Sequence, residues 1–249
     1  MTLSTPVVFD LVAVEAALRP AELVSREWLA PGYVRVRVAG DALRGFTAPG
    51  ADDHVRLFFA PVGADAPGDP EQWRAQPSRE YTPLDSDADG GWVEFDFVLH
   101  GEGPGSQWAA TAPIGAKLAV AGPRRSTVVS GEPDAWFLAG DETAIPAICR
   151  FLRSRSPGTP ARVLVEMAPE NLSVEIPTDA ATQLTVLVRG RDSLSDALDA
   201  LADNDRPDGA VLGFVASEAA VVPAARALLL DRWGLPPEAV VVKGYWRRA

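Results

Sequence analysis

"AWFLAGDETAIPAICRFLRS", residues 135 to 154, decides the fold. An uninterrupted apolar run ends at Gly140, Asp141 or Thr143 can cap the next element, and Pro146 falls in a first helical turn, where its missing amide costs nothing. A continuously hydrophobic strand that leads straight into a helix belongs to a parallel sheet covered on both faces. Downstream, "ARVLVEM", "LTVLVRG", "GAVLGFVAS" and "AVVVKGYW" are further strand candidates, and "DSLSDALDALA" and "AAVVPAARALLLDRW" have helical character. The C-terminal half therefore reads as an open parallel α/β domain, with ligands expected at the carboxyl ends of its strands.

Upstream of about residue 130 the texture changes to alternation. "YVRVRV" places Val34, Val36 and Val38 on one face, and "WVEFDFVL" does the same for Val93, Phe95, Phe97 and Leu99. "HVRLFF" and "GAKLAVAGP" add short strands, and clusters of Gly, Pro and Asp punctuate them. The pattern predicts an antiparallel β-barrel or sandwich over 1–131, joined near "SGEPD" to an α/β domain over 132–249. "PVGADAPGDPEQWRAQP" reads as a surface excursion.

Composition narrows the partners. The 249 residues, 47% of them hydrophobic, can bury a substantial core. With 34 acidic residues against 23 basic ones and no concentrated basic run, nucleic acid is not an expected partner. No apolar run approaches the roughly 18 residues of a membrane span, so no membrane insertion is expected. The N-terminus lacks the pattern of a signal peptide, and a cytoplasmic protein is the simplest expectation. One cysteine, Cys149, leaves no internal disulfide and no cysteine-ligated metal site.

Three stretches carry candidate chemistry, and each taken singly also suits a purely structural role. In "SREYTPLD", residues 78 to 85, strand alternation puts Arg79 and Tyr81 on one side and Thr82 on the other. In "LHGEGPGSQWA", residues 99 to 109, Gly101, Gly103 and Gly105 permit close backbone approach, Ser106 offers a hydroxyl beside open amides, and His100 is one of two histidines. The helix start in "GDETAIPAI" presents amides and a positive dipole end to an anion, although Asp141 and Glu142 oppose one. Arg124, Arg125, Lys243, Arg247 and Arg248 could form a basic rim or simply balance nearby acids.

In order, "DDHVRLFF", "REYT", "DFVLHGEGPGSQWA", "AGPRR", "GDETAIPAI" and "GYWRR" resemble the siderophore-interacting protein family, FAD-dependent ferric-siderophore reductases related to ferredoxin-NADP reductases. The resemblance runs from about residue 20 to the end and implies FAD as cofactor and NAD(P)H as electron donor. It implies that Arg79 neutralises an FAD phosphate, Tyr81 packs on the isoalloxazine and Thr82 bonds near N5. His100, Gly101, Gly103, Gly105 and Ser106 would complete the FAD site. Gly140, Asp141, Thr143 and Ala144 would open the pyridine-nucleotide site, with Tyr245 and Trp246 near the flavin. Arg124, Arg125, Lys243 and Arg247 would face an anionic ferric siderophore, which supplies its own iron ligands.

Two positions depart from that pattern. Leu84 stands where the family commonly has arginine, and Ser217 stands where it commonly has glycine, so that a side chain could crowd a nucleotide there. They keep two further readings open: an FAD protein of the same fold with another acceptor or a biosynthetic role, and a non-redox binder of a siderophore or other small molecule.

Overall fold

The computed structural model describes residues 6–99 and 103–248. The chain divides into two compact units. One is Leu11–Thr127; the other gathers the chain from Val128 onward together with the described residues before Leu11. Among the described residues no helix is long and apolar enough to cross a membrane.

The strands of the first half are β1 (Val8–Ala13), β2 (Leu18–Ala30), β3 (Tyr33–Ala39), β4 (Val55–Phe59), β5 (Ser78–Tyr81), β6 (Pro83–Asp87), β7 (Trp92–Val98), β8 (Lys117–Ala121) and β9 (Arg125–Ser130). Seven of them form one sheet in the order β5-β4-β8-β2-β3-β7-β6, antiparallel throughout, while β1 and β9 form a separate pair. The two edge strands, β5 and β6, are consecutive in the chain with Thr82 alone between them. Neighbouring Cα atoms are about 3.8 Å apart, so the sheet must curl until its edges meet at that residue. Since β5 and β6 do not pair with each other, the barrel stays partly open beyond the seam.

The predicted alternation holds residue by residue. Val34, Val36 and Val38 face Phe97, Phe95 and Val93 across the β3–β7 ladder, and all six are fully buried. The intervening Arg35 and Arg37 turn outward onto their cross-strand partners Asp96 (2.7 Å) and Glu94 (2.8 Å). The excursion after β4 is more than a solvated loop. It contains a short helix, α1 (Pro70–Arg74), capped by Asp69, and Trp73 anchors it against Phe58, Ala60 and Ala119.

A second helix, α2 (Pro104–Thr111), follows β7 and sinks Trp108 and Ala109 into the barrel core.

The second unit holds β10 (Ala135–Asp141), β11 (Ala161–Met167), β12 (Thr182–Val188), β13 (Val211–Glu218) and β14 (Val240–Trp246), which are the five predicted strands. They are parallel, in the order β12-β11-β10-β13-β14. The helices are α3 (Ile145–Ser154), α4 (Leu194–Ala200) and α5 (Val222–Arg226). Central β10 is buried along its whole length, as the apolar run required. The chain winds outward from β10 to β12 and then returns to β13, which puts a topological switch point between β10 and β13.

Candidate functional site

The barrel seam gathers one set of candidates. Arg79 and Tyr81 pair with Leu57 and Val55, whose side chains are buried, so both belong to the inward-facing side of the edge strand. Glu80 faces the other way and pairs with Arg56 at 2.6 Å. Arg79 is exposed and donates to the Ser78 carbonyl at 2.8 Å; among the described residues no carboxylate neutralises it. Thr82 is buried, and among the described residues its hydroxyl has no hydrogen bond. Tyr81 leans on Phe97, with ring centroids 4.1 Å apart. Burial pushes its phenol well above the ordinary tyrosine range, with Arg79 opposing the shift, so the hydroxyl stays protonated.

Helix α2 meets this seam at its N-terminus. A Cβ added to Gly105 would lie 1.9 Å from the Tyr81 hydroxyl, so only glycine permits the phenol to lie against the helix backbone. Gly103 is the helix cap, supplies no side-chain hydrogen bond and has open space where a Cβ would be. The amides of Gly105 and Ser106 have no intrahelical acceptor, and no acidic residue lies in that turn. Ser106 uses its hydroxyl to donate to the Val98 carbonyl at 3.3 Å, which ties the helix to β7. His100 and Gly101 lie outside the described residues. A free guanidinium, open helix amides, a glycine cradle and a flat phenol are the groups that a pyrophosphate and a planar ring require, so the residues present fit FAD.

The carboxyl ends of the parallel strands behave differently. A Cβ on Gly140 would lie 2.4 Å from that of Ala144 and 2.5 Å from the Ala216 carbonyl, so both residues serve close packing of β10 on its neighbours. Asp141 is buried and receives five hydrogen bonds: from the Thr143 amide and hydroxyl, the Ser217 hydroxyl, the Glu218 amide and the Trp246 indole. Its carboxylate therefore ties together the ends of β10, β13 and β14 at the switch point. Ser217 is turned onto Asp141 at 2.8 Å and is itself buried, while it also borders the crevice. Leu84, the other departure, is buried at a bulge in β6.

Sequence reasoning missed a second network here. Glu142 accepts from the Ala168 amide, the Asn171 side chain and Arg189, and Arg189 also pairs with Glu166 at 3.0 Å. The available signal was that Glu166 and Arg189 are charged residues at the ends of otherwise apolar runs. Beside the network lies a cavity of about 670 Å³, bordered by Asp141, Arg189, Asp192, Ser217, Glu218 and Trp246. The proposed basic rim is divided between the two units: Arg124 and Arg125 belong to the first, and Lys243 and Arg247 to the second.

Comparison with known proteins agrees with this geometry. Residues 22–127 match the model of the siderophore-interacting FAD-binding domain, and residues 133–249 match that of the siderophore-interacting protein. The chain is 36% identical over 161 residues to an NADPH-dependent ferric-chelate reductase of Escherichia coli, a match spanning 61% of this chain and 63% of that protein. It is 27% identical over 242 residues to a ferric vibriobactin reductase of Vibrio cholerae, spanning 92% of this chain and 89% of that one. A siderophore utilization protein from T. fusca superposes with a TM-score of 0.84 at 29% identity, covering 97% of each chain. With residues 22–127 and 133–249 matched in order and the likeness to siderophore proteins extending over nearly the whole chain, the chain belongs to the siderophore-interacting protein family.

Proposed function

We propose that this protein reduces iron held in ferric siderophores, with NAD(P)H as electron donor and FAD as its resident cofactor. The observation that carries the reading is the Tyr81 phenol against Gly105 at the start of α2, with Arg79 lacking a carboxylate partner on the same strand. Each donor molecule supplies two electrons, so one NAD(P)H is oxidised, one proton is released and two ferric ions become ferrous. FAD, when bound, accepts an electron pair and releases electrons singly, which matches a two-electron donor to a one-electron acceptor.

The chain's own residues have binding and orienting tasks. Arg79 and the amides of Gly105 and Ser106 hold negative charge, and Tyr81 gives a flat, protonated face. Thr82 keeps a hydroxyl open at the seam. Asp141 holds Trp246 in one orientation at the end of β14. No side chain need act as nucleophile or general base, and none need bind iron, because the siderophore brings its own ligands. Arg124, Arg125, Lys243 and Arg247 supply positive charge for an anionic siderophore. A cytoplasmic location would give the protein access to the pyridine-nucleotide pool.

Anaerobic titration tests the proposal. Purified protein should absorb near about 450 nm as oxidised flavin does, NADH or NADPH should bleach that band, and a ferric siderophore should restore it with stoichiometric appearance of ferrous iron. A bound flavin that neither nucleotide bleaches, with or without ferric chelate, would overturn it.

A further inference from the structure

NADPH differs from NADH by one phosphate ester on the adenosine ribose, worth about two negative charges at neutral pH. A cavity that accepts it needs a cation free to receive it, whereas the unmodified ribose diol needs hydrogen-bond acceptors. Which donor the protein uses rests on the reductase reading and is decided by the charges around the cavity of the parallel sheet.

Three arginines border that cavity, and each already faces a carboxylate. Arg189 bonds Glu142 at 2.9 Å and Glu166 at 3.0 Å. Glu142 is 1% exposed, so withdrawing Arg189 would strand a buried carboxylate. Arg248 pairs with Glu218 at 3.2 Å. Arg191 directs two nitrogens, at 2.9 and 3.1 Å, to one oxygen of Asp192.

The Arg191 pair is the most exposed, and on its own it would open readily to a stronger anion. Asp192, however, is held by a second bond. The oxygen that faces Arg191 also accepts from the Val188 amide at 2.9 Å, which pins the carboxylate to the end of β12. Hydrogen bonds from Arg191 and then from Val188 hold its carboxyl below the usual carboxylate range, so it is ionised at neutral pH. A phosphate brought to Arg191 would lie beside a fixed negative charge. Five carboxylates border the cavity in all, those of Asp141, Glu166, Asp192, Asp196 and Glu218, against the three paired arginines. Wherever the extra phosphate came to rest, the nearest cation would already face an acid.

We propose that this cavity selects NADH over NADPH, and that Asp192 is the residue that sets the choice, repelling a ribose phosphate and accepting from a free diol. In anaerobic stopped-flow reduction of the bound flavin, NADH should be favoured by about tenfold or more in the ratio of rate to half-saturating concentration. Asp192→Asn should close most of that gap, lowering the half-saturating NADPH concentration and raising that of NADH. Calorimetric titration with AMP and 2′-phospho-AMP reads the same preference without flavin or electron transfer, and AMP should bind more tightly.

NADPH outperforming NADH in the parent protein, or an Asp192→Asn variant with an unchanged ratio, overturns the inference and leaves the reductase reading intact. Flavin bleached by neither nucleotide, with AMP still preferred over its 2′-phosphate, overturns the reductase reading and leaves the selectivity of the cavity standing.

Discussion

The barrel seam and the carboxyl end of the parallel sheet both offer a glycine, a helix start and charged residues, yet they spend these groups in opposite ways. At the seam, Arg79 has no carboxylate partner among the described residues and the first amides of α2 are open. At the sheet, Asp141 is saturated by five donors and Arg189 is shared between Glu142 and Glu166. A glycine before a helix is therefore ambiguous by itself. What surrounds it decides whether its hydrogen-bonding groups receive a ligand or hold the fold together.

Breaking the sheet end should have the largest effect. Asp141→Ala removes the acceptor for a buried hydroxyl, an amide and an indole at once, and should cost about 3 kcal/mol or more in urea unfolding. Asp141→Asn, which keeps an acceptor oxygen, should cost distinctly less. If both variants melt with the parent protein, the saturated carboxylate does not tie the strand ends together.

At the seam the expected loss is of ligand rather than of fold. Gly105→Ala places a Cβ against the Tyr81 hydroxyl and should weaken FAD binding about 10- to 100-fold, as an overpacking of about 1–3 kcal/mol would. Fluorescence titration of the apoprotein measures it. Arg79→Met should cost about tenfold in the same titration, the value of a charge-assisted hydrogen bond, and should leave the melting temperature nearly unchanged because the side chain is exposed. A large drop in melting temperature would mean that Arg79 is structural after all.

The smallest effect is one of pH. Tyr81 titrates above the ordinary tyrosine value in the folded state, so the unfolded chain loses its proton first as the pH rises. The stability this residue contributes is complete below about pH 10 and declines above it. Tyr81→Phe should flatten the fall in melting temperature between about pH 9 and 11 relative to the parent, which isolates Tyr81 from the other tyrosines. An identical slope in the two proteins would show that the phenol is not held protonated by burial.

Much of this was legible in the residues themselves. The period-two pattern of Val34, Val36 and Val38 and the apolar run through Phe137 and Leu138 are local facts, because side-chain direction repeats along a strand whatever lies beyond it. Arg79, Tyr81 and Gly105 stood out as candidates, but each stretch taken singly also suited a structural role, and only the ordered set of motifs favoured a ligand. Ser217 shows the limit. From sequence it was a side chain that could crowd the crevice, and only the folded chain shows its hydroxyl donating to Asp141, a residue 76 positions away.

The sequence alone determined two kinds of sheet and their order along the chain, since periodicity and composition are carried by neighbouring residues. Only the tertiary structure decided that Thr82 closes the barrel, that Gly105 lies against Tyr81, and that Asp141 joins three strand ends while Asp192 is pinned beside a cavity. Those outcomes depend on groups brought together from distant parts of the chain, and on which charges neutralise one another before any ligand arrives.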